Sequence, residues 1–418
     1  MIQSSLAVVG FPMYRKRLSP LQISVLLVPL TFVFPMLVSG QQRSAEQDSA
    51  AATNASPDNT PATDVDVKRS ERPKAVSDAE IDRAIKKGID FLRSRGQADN
   101  GAFSPETGAA VTALCIRAIL QHRPQATADP AVKKALKFLD SKIQGDGGIY
   151  ADGSRYRNYE TSVAVGAMIK ANTDGRYDSV LKRAEAFLKQ IQWDEGEGIE
   201  SSDPAYGGAG YGKHERPDLS NTSFLIDALQ ELGNESDDEA IQKALKFVVR
   251  TQNLAGEGND TDHADAIDDG GFYYTPAAGG QSQAGDDGAG GLRSYGSMTY
   301  AGLKSMIYAG LSSDDPRVLA AMNFIRKHYS LKDNPGMGQA GLFYYYHTFA
   351  KALDAANLEI IDDAEGTPHS WRQELTGQIL SMQQSDGSWV NSENDRWMEG
   401  DRQLVTAYAL LALAFCRT

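Results

Sequence analysis

A five-residue signature recurs six times between Val76 and the C-terminus, and it restricts the fold more than any other feature of the chain. It reads Gly88-Ile89-Asp90-Phe91-Leu92, Ala135-Leu136-Lys137-Phe138-Leu139, Ala184-Glu185-Ala186-Phe187-Leu188, Ala244-Leu245-Lys246-Phe247-Val248, Ala321-Met322-Asn323-Phe324-Ile325 and Thr376-Gly377-Gln378-Ile379-Leu380. A small residue with an apolar pair three and four positions later marks one face of a helix, and the Lys and Arg at other positions put the opposite face in water. Each marked helix is followed by a Gly-rich turn and a second helix with far fewer charges: Ala109 to Leu120, Glu160 to Ala171, Thr222 to Leu232, Ser297 to Ala309, His347 to Ala356 and Leu404 to Phe415. A helix apolar nearly all round is a buried helix. The alternation predicts an all-α domain over residues 76–418, with six helical hairpins and an outer ring of helices around an inner one. Spacings of roughly 50 to 75 residues exceed those of the common helical solenoids, and the surplus lies in the turns. The longest turn is the acidic, Gly-rich stretch Ala255 to Gly291.

The turns carry a second pattern. Gln97, Gly101 and Phe103, Gln144, Gly148 and Tyr150, and Gln383, Gly387 and Trp389 share Gln-x3-Gly-x-aromatic. Gly permits a tight backbone, the aromatic fills the gap between hairpins, and the Gln amide can satisfy free groups at a helix end. On these turns the chain resembles the prenyltransferase and squalene-cyclase repeat family, in a single-toroid form, over about 340 residues. The resemblance implies an α/α toroid whose site lies in a central cavity near the starts of the inner helices. It does not choose the chemistry, because one architecture hosts unrelated activities.

Those starts carry Tyr159, Glu160 and Thr161; Asp218, Ser220 and Asn221; Tyr295 and Ser297; Tyr345, Tyr346 and His347; and Asp401 and Gln403. If the site is catalytic, Asp218, His347 and Glu160 are the candidate acid, base or metal-binding groups, with Tyr295 and Tyr346 stabilising charge. Tyr159, Asn221, Ser297, Tyr345 and Asp401 are candidate ligand-binding residues. The resemblance also implies a zinc test. Protein prenyltransferases hold zinc through Asp-x-Cys and the His of Tyr-His-Thr, and this chain has Asp218-Leu219-Ser220 and Tyr346-His347-Thr348. Ser220 is a poor zinc ligand, so the third position is lost. The bland alternatives are that Asp218 caps a helix and His347 is a hydrogen-bonded wall residue. Squalene-type cyclases carry Asp-x-Asp-Asp-Thr-Ala at an inner helix start. The nearest run of acids, Asp265-Ala266-Ile267-Asp268-Asp269, has other spacing and falls in the long turn.

That turn holds Asp260, Asp262, Asp265, Asp268, Asp269, Asp286 and Asp287. Spaced carboxylates can hold calcium, but the EF-hand pattern fails, and a solvated acidic loop is the simpler expectation. Cys-Gly-Glu-Gln, the P-loop, Gly-x-Ser-x-Gly and His-Glu-x-x-His are absent from the sequence.

Before the repeats, Arg15, Lys16 and Arg17 precede an apolar run from Leu21 to Val38, then Ser39 and Gly40. Residues 1–40 therefore read as an export signal cleaved after Gly40, or as a retained anchor that would be the chain's one contact with a membrane. Residues 41–75 are rich in Ala, Ser, Asp, Gln, Thr and Pro and read as a disordered linker. The expected location is the periplasm or cell envelope. A formal charge of −13 disfavours nucleic acid as a partner. Cys115 and Cys416 are the only cysteines. The repeat alignment offsets them by roughly 10 Å along neighbouring helices, so free thiols are expected.

The leading functional expectation is an exported toroid that binds an apolar or extended ligand, such as an isoprenoid, without its relatives' usual catalysis. An enzyme with an altered acid, base or metal site is the second, and an interaction module for protein or envelope polymer, working through residues 255–291, is the third.

Overall fold

The computed structural model describes residues 76–212 and 216–417. The expected signal or anchor over 1–40 and the expected linker over 41–75 lie outside the described residues.

Twelve α-helices run in order among the described residues: α1 (Asp78–Phe91), α2 (Ala110–His122), α3 (Pro130–Asp140), α4 (Arg157–Ala171), α5 (Asp178–Gln190), α6 (Leu219–Glu231), α7 (Glu239–Arg250), α8 (Gly296–Tyr308), α9 (Pro316–Lys327), α10 (Leu342–Ala355), α11 (Trp371–Ser381) and α12 (Arg402–Cys416). The even-numbered helices pack each on the next, from α2 through α12, and α12 packs back on α2, so the inner ring closes. All six expected signatures fall on, or run one residue past, the odd-numbered outer helices. The only strands among the described residues form a two-residue hairpin, β1 (Ile361–Asp362) with β2 (Pro368–His369). The six-hairpin α/α toroid expected from the repeats is the observed fold.

Local chemistry sets the helix starts. Asp129, Asp238 and Asp315 stand just before α3, α7 and α9 and accept the N–H of Ala131, Ala240 and Arg317 at 2.9, 3.0 and 2.9 Å. Such caps satisfy donors that a helix end otherwise strands. Inner helices begin earlier than the sequence pattern indicates, by five residues in α10 and three in α4 and α6, because polar residues of their first turn face a cavity rather than solvent.

The turns tie neighbouring hairpins together. The Gln97 side-chain N–H donates to Gly101 O at 3.0 Å and to Ala131 O in α3 at 2.8 Å. Gln383 does the same to Gly387 O at 3.0 Å and to Ala84 O in α1 at 2.8 Å, which joins the sixth repeat to the first. Gln192 and Gln252 repeat the device across longer loops, reaching Gly207 and Ala240, and Gly270 and Arg317.

The second turn departs from the expected register. Its left-handed glycine is Gly147, at φ 95° with the Arg183 carbonyl 2.7 Å from where a Cβ would sit, and its paired flanks are Ile143 and Ile149. Gln144, Gly148 and Tyr150 match the pattern one residue too late. Gln144 donates instead to Tyr150 O and to Asp152. What the fold requires there is a glycine against the next helix's carbonyl, and the flanking side chains are replaceable.

A further repeat feature is a threonine in the first turn of five inner helices. Thr112, Thr161, Thr222, Thr299 and Thr406 each accept a turn N–H through Oγ1, from Phe103, Ile149, Ala209, Phe272 and Trp389, at 2.9 to 3.1 Å. Cys115 and Cys416 are both buried and free.

Candidate functional site

All six inner helices start at the same end of the ring, so residues three or four apart along each one descend its axis together. In α10 the descending face is Tyr344, His347, Lys351; in α6 it is Ser220, Phe224, Asp227, Glu231; in α12 it is Leu404, Tyr408, Leu411. Three layers result.

The upper layer encloses a cavity of about 740 Å³, within the range of sites that hold small organic ligands. Tyr159, Tyr274, Tyr295, Tyr344 and Tyr408 give its wall an aromatic character. Tyr156, Trp397 and Met398 stand at its margin and stay substantially exposed. Trp397 and Met398 adopt left-handed backbone at φ 57° and 65°, a conformation that costs a side-chain-bearing residue about 1–3 kcal/mol. Beside them Glu399 accepts the N–H groups of Phe343 and Tyr344 at 2.9 and 2.8 Å and the Asn391 amide at 2.7 Å. Burial pushes its carboxyl up to about 7 against those donors.

An aromatic floor closes the cavity below. The Tyr159 and Tyr408 hydroxyls lie 3.2 Å apart, Phe224 meets the Tyr159 ring edge-on at 5.0 Å, and Tyr344 lies 6.0 Å from Tyr408. The His347 ring stacks on the Tyr408 ring at 5.7 Å.

The lower layer is a chain of ion pairs, buried at Asp227, Lys304 and Lys351 and half-buried at Arg117 and Glu231. Arg117 donates to Glu231 at 2.6 Å, Lys351 bridges Glu231 at 3.2 Å and Asp227 at 2.8 Å, and Lys304 meets Asp227 at 2.7 Å. Burial alone would raise the Asp227 carboxyl, but Lys304 and Lys351 hold it well below the usual range. Burial pulls Lys304 down to about 8 and holds His347 well below an ordinary imidazole. Gly166 of α4 leaves room for this layer, since a Cβ there would lie 2.3 Å from Arg117 Nη1.

The structure sorts the candidate residues accordingly. Tyr159, Glu160, Ser220, Asn221, Tyr295 and Ser297 line the cavity. Within it Glu160 is a clamp: it accepts the N–H of Ala109 at 2.7 Å and of Ala151 at 3.0 Å, and the Ser154 hydroxyl. Asp218 is buried in the wall as the cap of α6, accepting Asn221 N at 2.9 Å and Asn221 Nδ2 at 2.7 Å. Burial pushes its carboxyl up to about 6, with the Tyr274 hydroxyl beside it. Four expectations need correction. Tyr345 and Tyr346 turn away from the cavity and donate to Ser330 O and Leu331 O at 2.7 and 2.6 Å. Asp401 caps α12 through Leu404 N at 2.7 Å. His347 lies in the second turn of α10, so its ring falls below the floor.

Asp218, Ser220 and His347 therefore do not fit a zinc site: the first is occupied as a cap, Ser220 Oγ lies 2.9 Å from the Tyr344 hydroxyl, and His347 faces another layer. Among the described residues no group of three or more His, Cys, Asp or Glu is placed to hold a metal ion, the acidic loop included. That loop is instead pinned by Arg250, whose guanidinium holds Asp260 at 2.6 and 2.8 Å, and it supplies Tyr274 to the cavity.

Residues 82–275 match the family model of the squalene-hopene cyclase C-terminal domain. Within that stretch Asp218-Leu219-Ser220-Asn221-Thr222-Ser223 opens α6 with the first Asp and the Thr of Asp-x-Asp-Asp-Thr-Ala in place. Counted by that spacing, Ser220 and Asn221 take the places of the second and third acids. Among solved structures, the type II terpene cyclase MstE from Scytonema is similar at 16% identity and a TM-score of 0.48, over 80% of this chain and 97% of that one. A variant of that cyclase in complex with merosterolic acid A, its product, is similar at 14% identity and a TM-score of 0.48, over 81% and 97%. A family 76 glycoside hydrolase from Bacteroides thetaiotaomicron is similar at 12% and 0.46, over 80% and 77%. No curated protein matches the sequence.

Proposed function

From a toroid of the squalene-cyclase and prenyltransferase repeat kind, we propose a protein that binds an apolar, isoprenoid-like ligand in the upper cavity and does not protonate it as the cyclases do. The carrying observation is the pairing of an aromatic cavity of about 740 Å³ with the uncharged Ser220 and Asn221 beside Asp218 at the start of α6. Aromatic rings supply apolar area and a polarisable face, while the ring of hydroxyls offers hydrogen bonds to an oxygenated end. A serine hydroxyl held by Tyr344 cannot serve as the strong acid that alkene protonation needs. With the N-terminal basic and apolar segments, this reading places the protein outside the cytoplasm.

The test is binding of a fluorescent C20 prenyl alcohol to the purified full chain, with Ser297→Phe as the filled-cavity variant. Tight binding that the variant abolishes supports the reading. Failure of the unaltered chain to bind this probe and to carry any lipid from its host would sink it.

One observation favours a second reading, an enzyme of altered mechanism. Asp218 is a buried carboxyl raised toward neutrality, and Tyr274, which lines the cavity, stands beside it. That pair can relay a proton where Ser220 cannot. Conversion of a bound prenyl substrate that disappears in Asp218→Asn while binding persists would favour it.

A further inference from the structure

The lower layer was built for something other than the ligand above it. Its five ionised groups come from four helices: Arg117 on α2, Asp227 and Glu231 on α6, Lys304 on α8 and Lys351 on α10. They alternate in sign along the chain of pairs, beginning and ending with a cation. Three cations therefore share two anions, and the neighbouring His347 is neutral. An unmatched charge of this kind is costly inside a protein unless a counter-charge accompanies it.

The place for that counter-charge is present. A small void, large enough for one water-sized body, is lined by Arg117, Ser162, His347 and Lys351 on its polar side, and by Leu114 and Phe224 among its apolar walls. Three buried atoms of the lining have no hydrogen-bond partner: His347 Nδ1, Arg117 Nε and Asp227 Oδ1, the last of which is ion-paired with Lys304 Nζ at 2.7 Å. His347 is 93% buried by its 7% exposure. The carboxylate of Asp227 also touches the void, but it is engaged by two lysines. Donors thus predominate where a guest would sit, and Phe224 separates the void from the cavity above.

We infer that this void is a binding site for a single small monovalent anion of the halide class, held by Arg117, Lys351 and the His347 ring. The anion brings the layer to neutrality and ties α2 to α10 at the base of the ring. The flexible ends of Arg117 and Lys351 can yield the few tenths of an ångström by which a halide exceeds a water.

The experiment uses the purified full chain in sodium gluconate at pH 7, with bromide replacing gluconate at constant ionic strength, so that general screening is held fixed. The midpoint of thermal unfolding rises by about 2 °C or more and then saturates, as binding to the folded state alone requires. Anomalous diffraction from crystals in bromide shows one peak between Arg117, His347 and Lys351. Lys304→Met makes the layer neutral without touching the void, and it removes the bromide-dependent rise, whereas Lys86→Met on the outer face of α1 keeps it. A midpoint indifferent to bromide, or a void holding only water in the bromide crystals, overturns the inference, and neither result depends on the variants folding.

Discussion

Ser220 Oγ and the Tyr344 hydroxyl lie 2.9 Å apart in the cavity wall, joining the first turn of α6 to the first turn of α10. The bond gives both hydroxyls a partner in a cavity wall that is otherwise largely aromatic. Ser220→Asp places a carboxyl near the Asp218 carboxyl and between aromatic walls. Its charged form is disfavoured there by desolvation and by Asp218, so it is held protonated near neutral pH. In Ser220→Asp with Asn221→Asp, gas chromatography of products from a linear C20 or C30 polyprene is expected to show a cyclised species that the unaltered chain does not form. An identical product profile for both would show that the cavity does not fold the substrate productively.

The base of the ring gives a packing prediction. Gly166→Ala puts a methyl 2.3 Å from Arg117 Nη1 and 3.0 Å from Glu231 Oε2, so the ion pair must shift to admit it. Overpacking of this size costs about 1–3 kcal/mol. Urea unfolding should show that loss, and the same substitution at exposed Gly233, which has no atom within 4 Å but a left-handed φ of 92°, should cost less than that.

Asp227 is the anion shared by Lys304 and Lys351. Asp227→Asn leaves two buried lysines with Glu231 as their remaining carboxylate. Breaking a buried pair in this way costs about 3–5 kcal/mol. The loss should shrink in Asp227→Asn with Lys304→Met, because the second change removes the stranded charge, and a denaturant series on the four combinations measures the coupling.

The ring was legible in the sequence because its requirements are local. Phe138 and Leu139, or Phe324 and Ile325, must recur at helical spacing to bury an outer helix, and Gly101 and Gly387 must be glycine because a carbonyl of the neighbouring helix occupies the Cβ position. Gln144 was misleading because its spacing to Gly148 and Tyr150 imitates the turn, while the backbone constraint falls on Gly147. The lower layer was illegible for a different reason. Arg117, Asp227, Lys304 and Lys351 each look like a stray charge in an apolar helix, and they acquire partners only when segments 77 to 124 residues apart meet across the closed ring. One signal was available: each sits in the third turn of its inner helix. Of the floor, Tyr159 alone was among the candidates, because Phe224, Tyr344 and Tyr408 lie within apolar helices with no motif to mark them.

Ring closure can be tested at Gln383. Its amide links the last turn to Ala84 of α1 and braces Gly387. Gln383→Ala removes both bonds and should cost about 1–3 kcal/mol. Because the bond joins the first and last hairpins, hydrogen exchange should accelerate most in α1 and α11, and uniform acceleration around the ring would contradict the staple role.

The last prediction concerns pH. Asp218 has a folded-state value raised by burial from 3.8 to about 6, so the folded form binds its proton more tightly than the unfolded chain does. Its contribution is fully present below pH 4 and is lost as pH rises through 6, by roughly 2–3 kcal/mol at most. His347 acts in the opposite sense: held below the ordinary imidazole value, it costs stability as pH falls below about 6.5. A raw stability profile mixes the two, and a difference separates them. Asp218→Asn keeps a side-chain oxygen able to accept Asn221 N–H and cap α6, but it cannot ionise. Between about pH 4 and 6 the unaltered chain should therefore lose stability relative to Asp218→Asn and then level off, as measured by urea unfolding of both at each pH. Parallel profiles would mean that Asp218 already ionises at its ordinary value, and the proton relay through Tyr274 would lose its donor.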